Sequence, residues 1–261
     1  MDNTTVWLDK IQHTCRQFSQ SHVDIIIDQC GMDISVIPAL SGFSPALAWG
    51  SLYEGLPEDI YREDAPLLVR IDLDEPQQVQ WMYELAREVS LKAPLLVIVS
   101  PWSFSLLADW LRQCVDVSHE GRDGIFRFWD TQNFPWLFSC ILDEQGKAQL
   151  QRPVLFWSWL NRDEQPAMQE GNGTIPANDV FQKITFSDDQ FEALMCLSDA
   201  KKLLSDHTFL ADLFLTKEAA FSACFNAMLA ATKERILFEE QRNDWVVDRL
   251  CGQKKGHRGK E

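Results

Sequence analysis

The run Leu95-Leu96-Val97-Ile98-Val99 constrains the fold more than any other stretch of this chain. A strand with one wet face alternates apolar and polar side chains. This one does not alternate, so both of its faces are buried, as at the centre of a sheet covered by helices. Its flanks agree with that placement. Val23–Asp28, Ala46–Leu52, Pro66–Ile71 and Val154–Trp159 read as further strands, and Gly55-Leu56-Pro57 reads as a turn before the third of them. Helical spacing appears between the strands. Trp7, Leu8, Ile11, Cys15 and Phe18 mark a helix over Thr5–Gln20, and a short helical stretch falls near Ile34–Leu40. Pro76 stands where a first-turn proline belongs, with Val79, Met82, Ala86 and Val89 on one face of a helix ending near Leu91. Ser103 can cap a helix from Phe104 to Cys114.

Val115–His119 and Ile125–Trp129 read as two strands of a hairpin joined by Glu120-Gly121-Arg122-Asp123-Gly124, with a helical turn following around Phe134–Phe138. Strand alternation would put Phe126 and Phe128 on one side and Ile125, Arg127 and Trp129 on the other. The expected class is α/β, with α+β the alternative: an N-terminal lobe (1–160) with a mixed sheet flanked by helices. Residues 161–180, rich in Asn, Asp, Gln, Pro and Gly around Gly171-Asn172-Gly173, read as a linker. An all-helical lobe over 181–250 is expected next, built from Asp188–Leu204 and Thr208–Leu250. The basic stretch 251–261 reads as a disordered tail.

Composition narrows the function. The formal charge of -15 is spread over many acidic pairs, which repels phosphate backbones and anionic lipids, so neither nucleic acid nor membrane is an expected partner. The seven cysteines are odd in number, widely spaced and never paired as C-x-x-C, so a zinc knuckle or a disulfide framework does not fit. Most sit among apolar residues, as reduced thiols do. Met1-Asp2-Asn3-Thr4-Thr5 lacks the charge and apolar run of a secretory signal, and the expectation is a cytoplasmic protein.

Candidate chemistry is sparse. Gly42-Phe43-Ser44-Pro45-Ala46 resembles a nucleophile elbow in outline, but Ala46 replaces the second glycine and a strand follows instead of a helix, so Ser44 reads as a loop serine. His119-Glu120 does not continue as a zinc-protease helix, because Asp123 stands three residues beyond Glu120 and Gly121 belongs to a hairpin. The histidines His13, His22, His207 and His257 are isolated in sequence. Asp72, Asp74 and Glu75 at a strand end are the best enzymatic hint, for a metal-assisted phosphohydrolase using Asp72 and Asp74. Capping of the helix that starts at Pro76 is the competing and preferred use. No catalytic residue, cofactor or metal is expected. Trp136, Trp157 and Trp159 are candidate partner-binding aromatics, with burial as the alternative.

Residues 93–100, the helix Leu106–Leu111 and Gly124-Ile125-Phe126-Arg127-Phe128-Trp129-Asp130 together resemble the domain-of-unknown-function 4123 family. Ser51-Leu52-Tyr53-Glu54-Gly55-Leu56-Pro57 with the strand at Pro66–Ile71 is similar to the same family, extending the resemblance over about residues 23–160. Many relatives carry Tyr fourth in the Phe126–Asp130 motif and Pro-Arg after Asp. Here Trp129 and Thr131-Gln132 stand instead. The resemblance implies a non-catalytic adaptor of type VI secretion. Such an adaptor holds a cognate effector, usually by its N-terminal region, and helps load it onto the secretion spike protein. A structural subunit of the secretion machine is the remaining alternative. Phe126, Arg127, Phe128, Trp129 and Asp130 are read as a scaffold signature, with Arg127 either an outward ladder residue or an ion-pair partner of Asp130 or another carboxylate.

Overall fold

The computed structural model describes residues 2–90, 94–174 and 180–257. The chain forms two compact units, Met1–Phe186 and Ser187–Glu261. In the first, six strands form one sheet in the order β2-β3-β1-β4-β7-β8: β1 His22–Ile27, β2 Ala48–Ser51, β3 Leu67–Asp72, β4 Leu96–Val99, β7 Phe156–Leu160 and β8 Pro166–Glu170. A mixed sheet was expected; every pairing here is antiparallel, the α+β form of the expected class. The helix α3 (Pro76–Val89) carries the chain from β3 to β4, and β1 lies between those two strands, a split crossover. Strand β4 is buried at every residue, as its unbroken apolar run requires.

One face of the sheet presents Val23, Ile25, Ile27, Val69, Ile71, Val97 and Val99. On it lie α1 (Asn3–Gln17) and α3, through Trp7, Leu8, Ile11, Cys15, Met82, Leu85, Ala86 and Val89. Each such aliphatic side chain contributes about 1.5–3 kcal/mol on burial. The indole of Trp7 donates to Ser158 Oγ at 2.8 Å, which satisfies the polar atom this face brings inside. Helix α1 starts two residues earlier than its spacing suggests, because Asp2 caps it by accepting from Thr5 N.

The opposite face carries Trp157 and Trp159. After α4 (Phe104–Val115), a hairpin of β5 (Asp116–His119) and β6 (Arg122–Ile125) turns on Glu120 and Gly121, both with positive φ, as a two-residue hairpin turn demands. The expected five-residue loop is therefore tighter, with Arg122 paired to His119. Strand β9 (Thr185–Phe186) joins β5 in parallel, and Lys183 Nζ lies 2.7 Å from both Asp116 and Asp123.

Residues 161–174 are not a linker. Strand β8 pairs along β7, and the amides of Gly171, Asn172, Gly173 and Thr174 then donate to carbonyls of residues 151–155. A Cβ on Gly171 would lie 2.2 Å from the Val154 oxygen, so this glycine permits close approach rather than flexibility. The centre of the expected linker, residues 175–179, lies outside the described residues.

The second unit is helical: α7 (Asp188–Asp206), α8 (Lys217–Lys233) and α9 (Glu239–His257). A capping box of Ser187 and Gln190 starts α7, and Ala200, Ala220, Phe221, Cys224, Phe225 and Met228 fill the interior. The expected helix over Thr208–Leu250 is interrupted twice. A 3₁₀ turn occupies Thr208–Leu213, and Arg235 adopts φ 61° while Ile236 N donates to Ala231 O, a Schellman stop without glycine. Helix α9 runs into the stretch expected as a disordered tail, whose last residues, 258–261, lie outside the described residues.

Candidate partner-binding site

The family-like motif begins where strand pairing ends. Strand β6 stops at Ile125 because its partner β5 starts only at Asp116, immediately after α4. The Phe126 amide still reaches Val115 O at 2.8 Å, and beyond it no partner strand runs alongside. Residues 126–130 are thus irregular chain with a turn at Phe128–Trp129, not the expected strand, and the strict two-sided alternation is lost. Phe126, Phe128 and Trp129 are all buried. Phe128 packs edge-on to Trp157 at 6.0 Å, and Phe134, from α5 (Phe134–Trp136), meets Trp157 at 5.2 Å and Trp159 at 5.0 Å. Trp157 and Trp159 are therefore core residues, not partner-binding anchors. They sit on the sheet face that the motif covers, and Trp136 is half-buried. Asp130 closes the turn: it accepts from Gln132 N at 2.9 Å and from Asn133 Nδ2 at 3.1 Å.

Arg127 alone among these residues points to solvent, and it pairs with Asp28 at 2.6 Å instead of Asp130. Asp28 leaves the end of β1 and caps the 3₁₀ turn Gln29–Gly31 by accepting from Cys30 N. Burial pushes the neighbouring Tyr53 phenol up to about 12, so it stays neutral beside this ion pair. The loop that follows Asp28 is tied to the loop before β3 by one side chain that sequence reading passed over. The buried carboxamide of Gln29 donates to Arg62 O at 3.1 Å and Ala65 O at 2.9 Å, and it accepts from Ser35 Oγ at 2.7 Å. Cys30 Sγ adds a contact to Asp64 O. On these tied loops Ile34 is 79 %, Ile60 78 % and Tyr61 59 % exposed. Glutamine in a turn gives no local signal of such a tether. Only the pairing of β1 with β3, which brings the two loops to one sheet end, reveals it.

The other candidates are scattered. Asp72 turns back on its own loop, accepting from Asp74 N at 2.9 Å, while Gln78 Oε1 takes the Asp72 amide. Glu75 occupies the cap position of α3 without a side-chain cap bond. Ser44 lies in an exposed bend. His119 Nδ1 is 3.1 Å from Phe186 O, His13 pairs with Gln17 on the exposed face of α1, and His207 ends α7 against Phe209. The His257 side chain lies outside the described residues. All seven cysteines are free thiols, and Cys15, Cys114, Cys196 and Cys224 are buried.

A charged pair inside the sheet was also not foreseen. Arg70 on β3 faces Asp24 on β1 and grips its carboxylate with two bonds of 2.8 Å, also donating to Trp102 O and lying under the Phe104 ring. Burial pushes the fully enclosed Asp24 carboxyl up, and the guanidinium opposes that rise. His22, one residue before Val23, has its ring pushed down by burial and by Arg70, with Nε2 3.2 Å from Ser100 O. These groups fix the β1–β3 register and the segment entering α4, and Asp24 offers nothing to solvent.

Residues 25–149 match the profile of the family described as Domain of unknown function (DUF4123). That segment belongs to the DUF4123 family. Searches of curated proteins and of solved structures return no match. The DUF4123 region thus covers the main sheet through β4, the motif turn and the tied loops, and it stops before β7. Among the described residues, no helix is long and apolar enough to cross a membrane.

Proposed function

We propose that this DUF4123 protein is a non-catalytic cytoplasmic adaptor of type VI secretion, one that binds the N-terminal region of a cognate effector and promotes the effector's loading onto the spike protein. The observation that carries this reading is the exposure of large apolar side chains on structured segments: Ile34, Ile60 and Tyr61 in the first unit, and Leu215, Leu237 and Phe238 in the second. Single exposed apolar residues are ordinary, but several on tied loops and between helices suit a protein that spends its working life against a partner. The family motif supports the reading as scaffold, since its aromatics hold the sheet face and leave the surface to the loops. The free thiols fit a reducing compartment.

The test is co-expression with the product of the neighbouring gene, followed by affinity purification of this chain. The adaptor reading expects the product to co-purify at moderate salt and to lose solubility when expressed alone. Absence of both that product and a spike protein from the purified material at every salt concentration would refute it.

A further inference from the structure

The tied loops are a built surface, and their chemistry narrows what they hold. Residues 28–36 leave β1 and residues 57–65 enter β3 at the same sheet end, where Ile27 pairs with Leu67. The Gln29 carboxamide ties one loop to the other, and Ile34, Ile60 and Tyr61 are exposed on these tied loops. The same two loops carry Asp33, Glu58, Asp59, Glu63 and Asp64, besides the Asp28 that pairs with Arg127, and Arg62 is the one cation in their sequence. The excess is regional: residues 1–186 hold 26 acidic against 13 basic residues, whereas residues 187–261 hold 13 against 11.

Exposed apolar side chains on loops this rich in carboxylates select the occupant. Nucleic acid and anionic lipid are repelled. A second copy of this surface would set like charges against each other. A metal ion has no use for two isoleucines and a tyrosine. We propose that these loops dock a cationic amphipathic segment of a partner protein, with its apolar side chains on Ile34, Ile60 and Tyr61 and its Lys or Arg residues meeting the loops' carboxylates. That the partner is a protein rests on the adaptor reading; the surface and its charge preference do not.

The probe is a fluorescein-labelled peptide of about 18 Lys and Leu residues at helical spacing, about five turns long, titrated with the full chain by anisotropy in about 0.15 M salt. The expected result is saturable binding. It weakens about tenfold or more in the apolar variant Ile60→Ser/Tyr61→Ser and in the charge variant Glu58→Gln/Asp59→Asn/Glu63→Gln. A control that removes as many carboxylates elsewhere, Asp74→Asn/Glu84→Gln/Glu88→Gln, binds within about twofold of wild type. Unchanged melting of all variants shows that the fold is intact. The proposal is overturned if the wild type does not bind, if the control weakens as much as the charge variant, or if the apolar variant binds like wild type. Peptide binding without co-purification of either the neighbouring product or a spike protein sinks the adaptor reading and leaves this surface; co-purification undiminished in the apolar variant, without peptide binding, does the reverse.

Discussion

Phe128 and Arg127 are neighbours in one motif with opposite duties. Phe128 is fully buried against Trp129 and Trp157, so Phe128→Ala removes a large side chain from a packed aromatic face and is expected to cost about 3–5 kcal/mol in a urea unfolding experiment. Arg127 makes a half-exposed ion pair, and Arg127→Ala is expected to cost less than about 1 kcal/mol. Equal costs would contradict the scaffold reading of the motif. His22 gives a second prediction at this scale. Its ring is pushed below the ordinary histidine range, so the folded chain resists protonating it. Its contribution is complete above the unfolded-state value and is lost as pH falls through the folded one. Between about pH 7 and pH 5 the wild type should therefore lose more stability than His22→Gln. Parallel pH profiles would contradict this.

Helix ends show where local sequence stops being informative. Helix α8 ends at Arg235 in the left-handed region, a conformation that costs a non-glycine residue roughly 1–2 kcal/mol. Arg235→Gly is expected to raise the unfolding free energy by about 1 kcal/mol, and a loss of stability would contradict the stop described here. No glycine announces that stop, which is why Thr208–Leu250 reads as one helix. Elements with strong periodicity were legible: β4 through its unbroken apolar run, and α3 through Pro76 and the spacing of Val79 to Val89. The motif was legible as a family mark but not as a turn, because Ile125–Trp129 has strand-like residues and only the late start of β5 denies it a partner. Gly171-Asn172-Gly173 carries linker composition, yet its glycines serve close backbone approach. Of the partner-binding candidates, Trp157 and Trp159 read equally as core or anchor, and the packing of Phe128 and Phe134 decides for core. The tied loops depend on Gln29 reaching residues 62 and 65, a long-range contact that no local pattern encodes.

At the scale of the molecule, a strongly acidic α+β unit carrying the whole DUF4123 match is followed by a nearly neutral helical unit. Large apolar side chains are exposed in both. The adaptor proposed above would meet more than one protein, whereas a structural subunit of the secretion machine would be needed for spike and effector alike. The most direct measurement is delivery in a strain lacking this gene, with the neighbouring effector and the spike protein both quantified outside the cell. Effector delivery is expected to be lost, spike secretion to persist, and the wild-type gene to restore the effector. Effector delivery that persists without this chain, or effector and spike lost together, would contradict the adaptor reading.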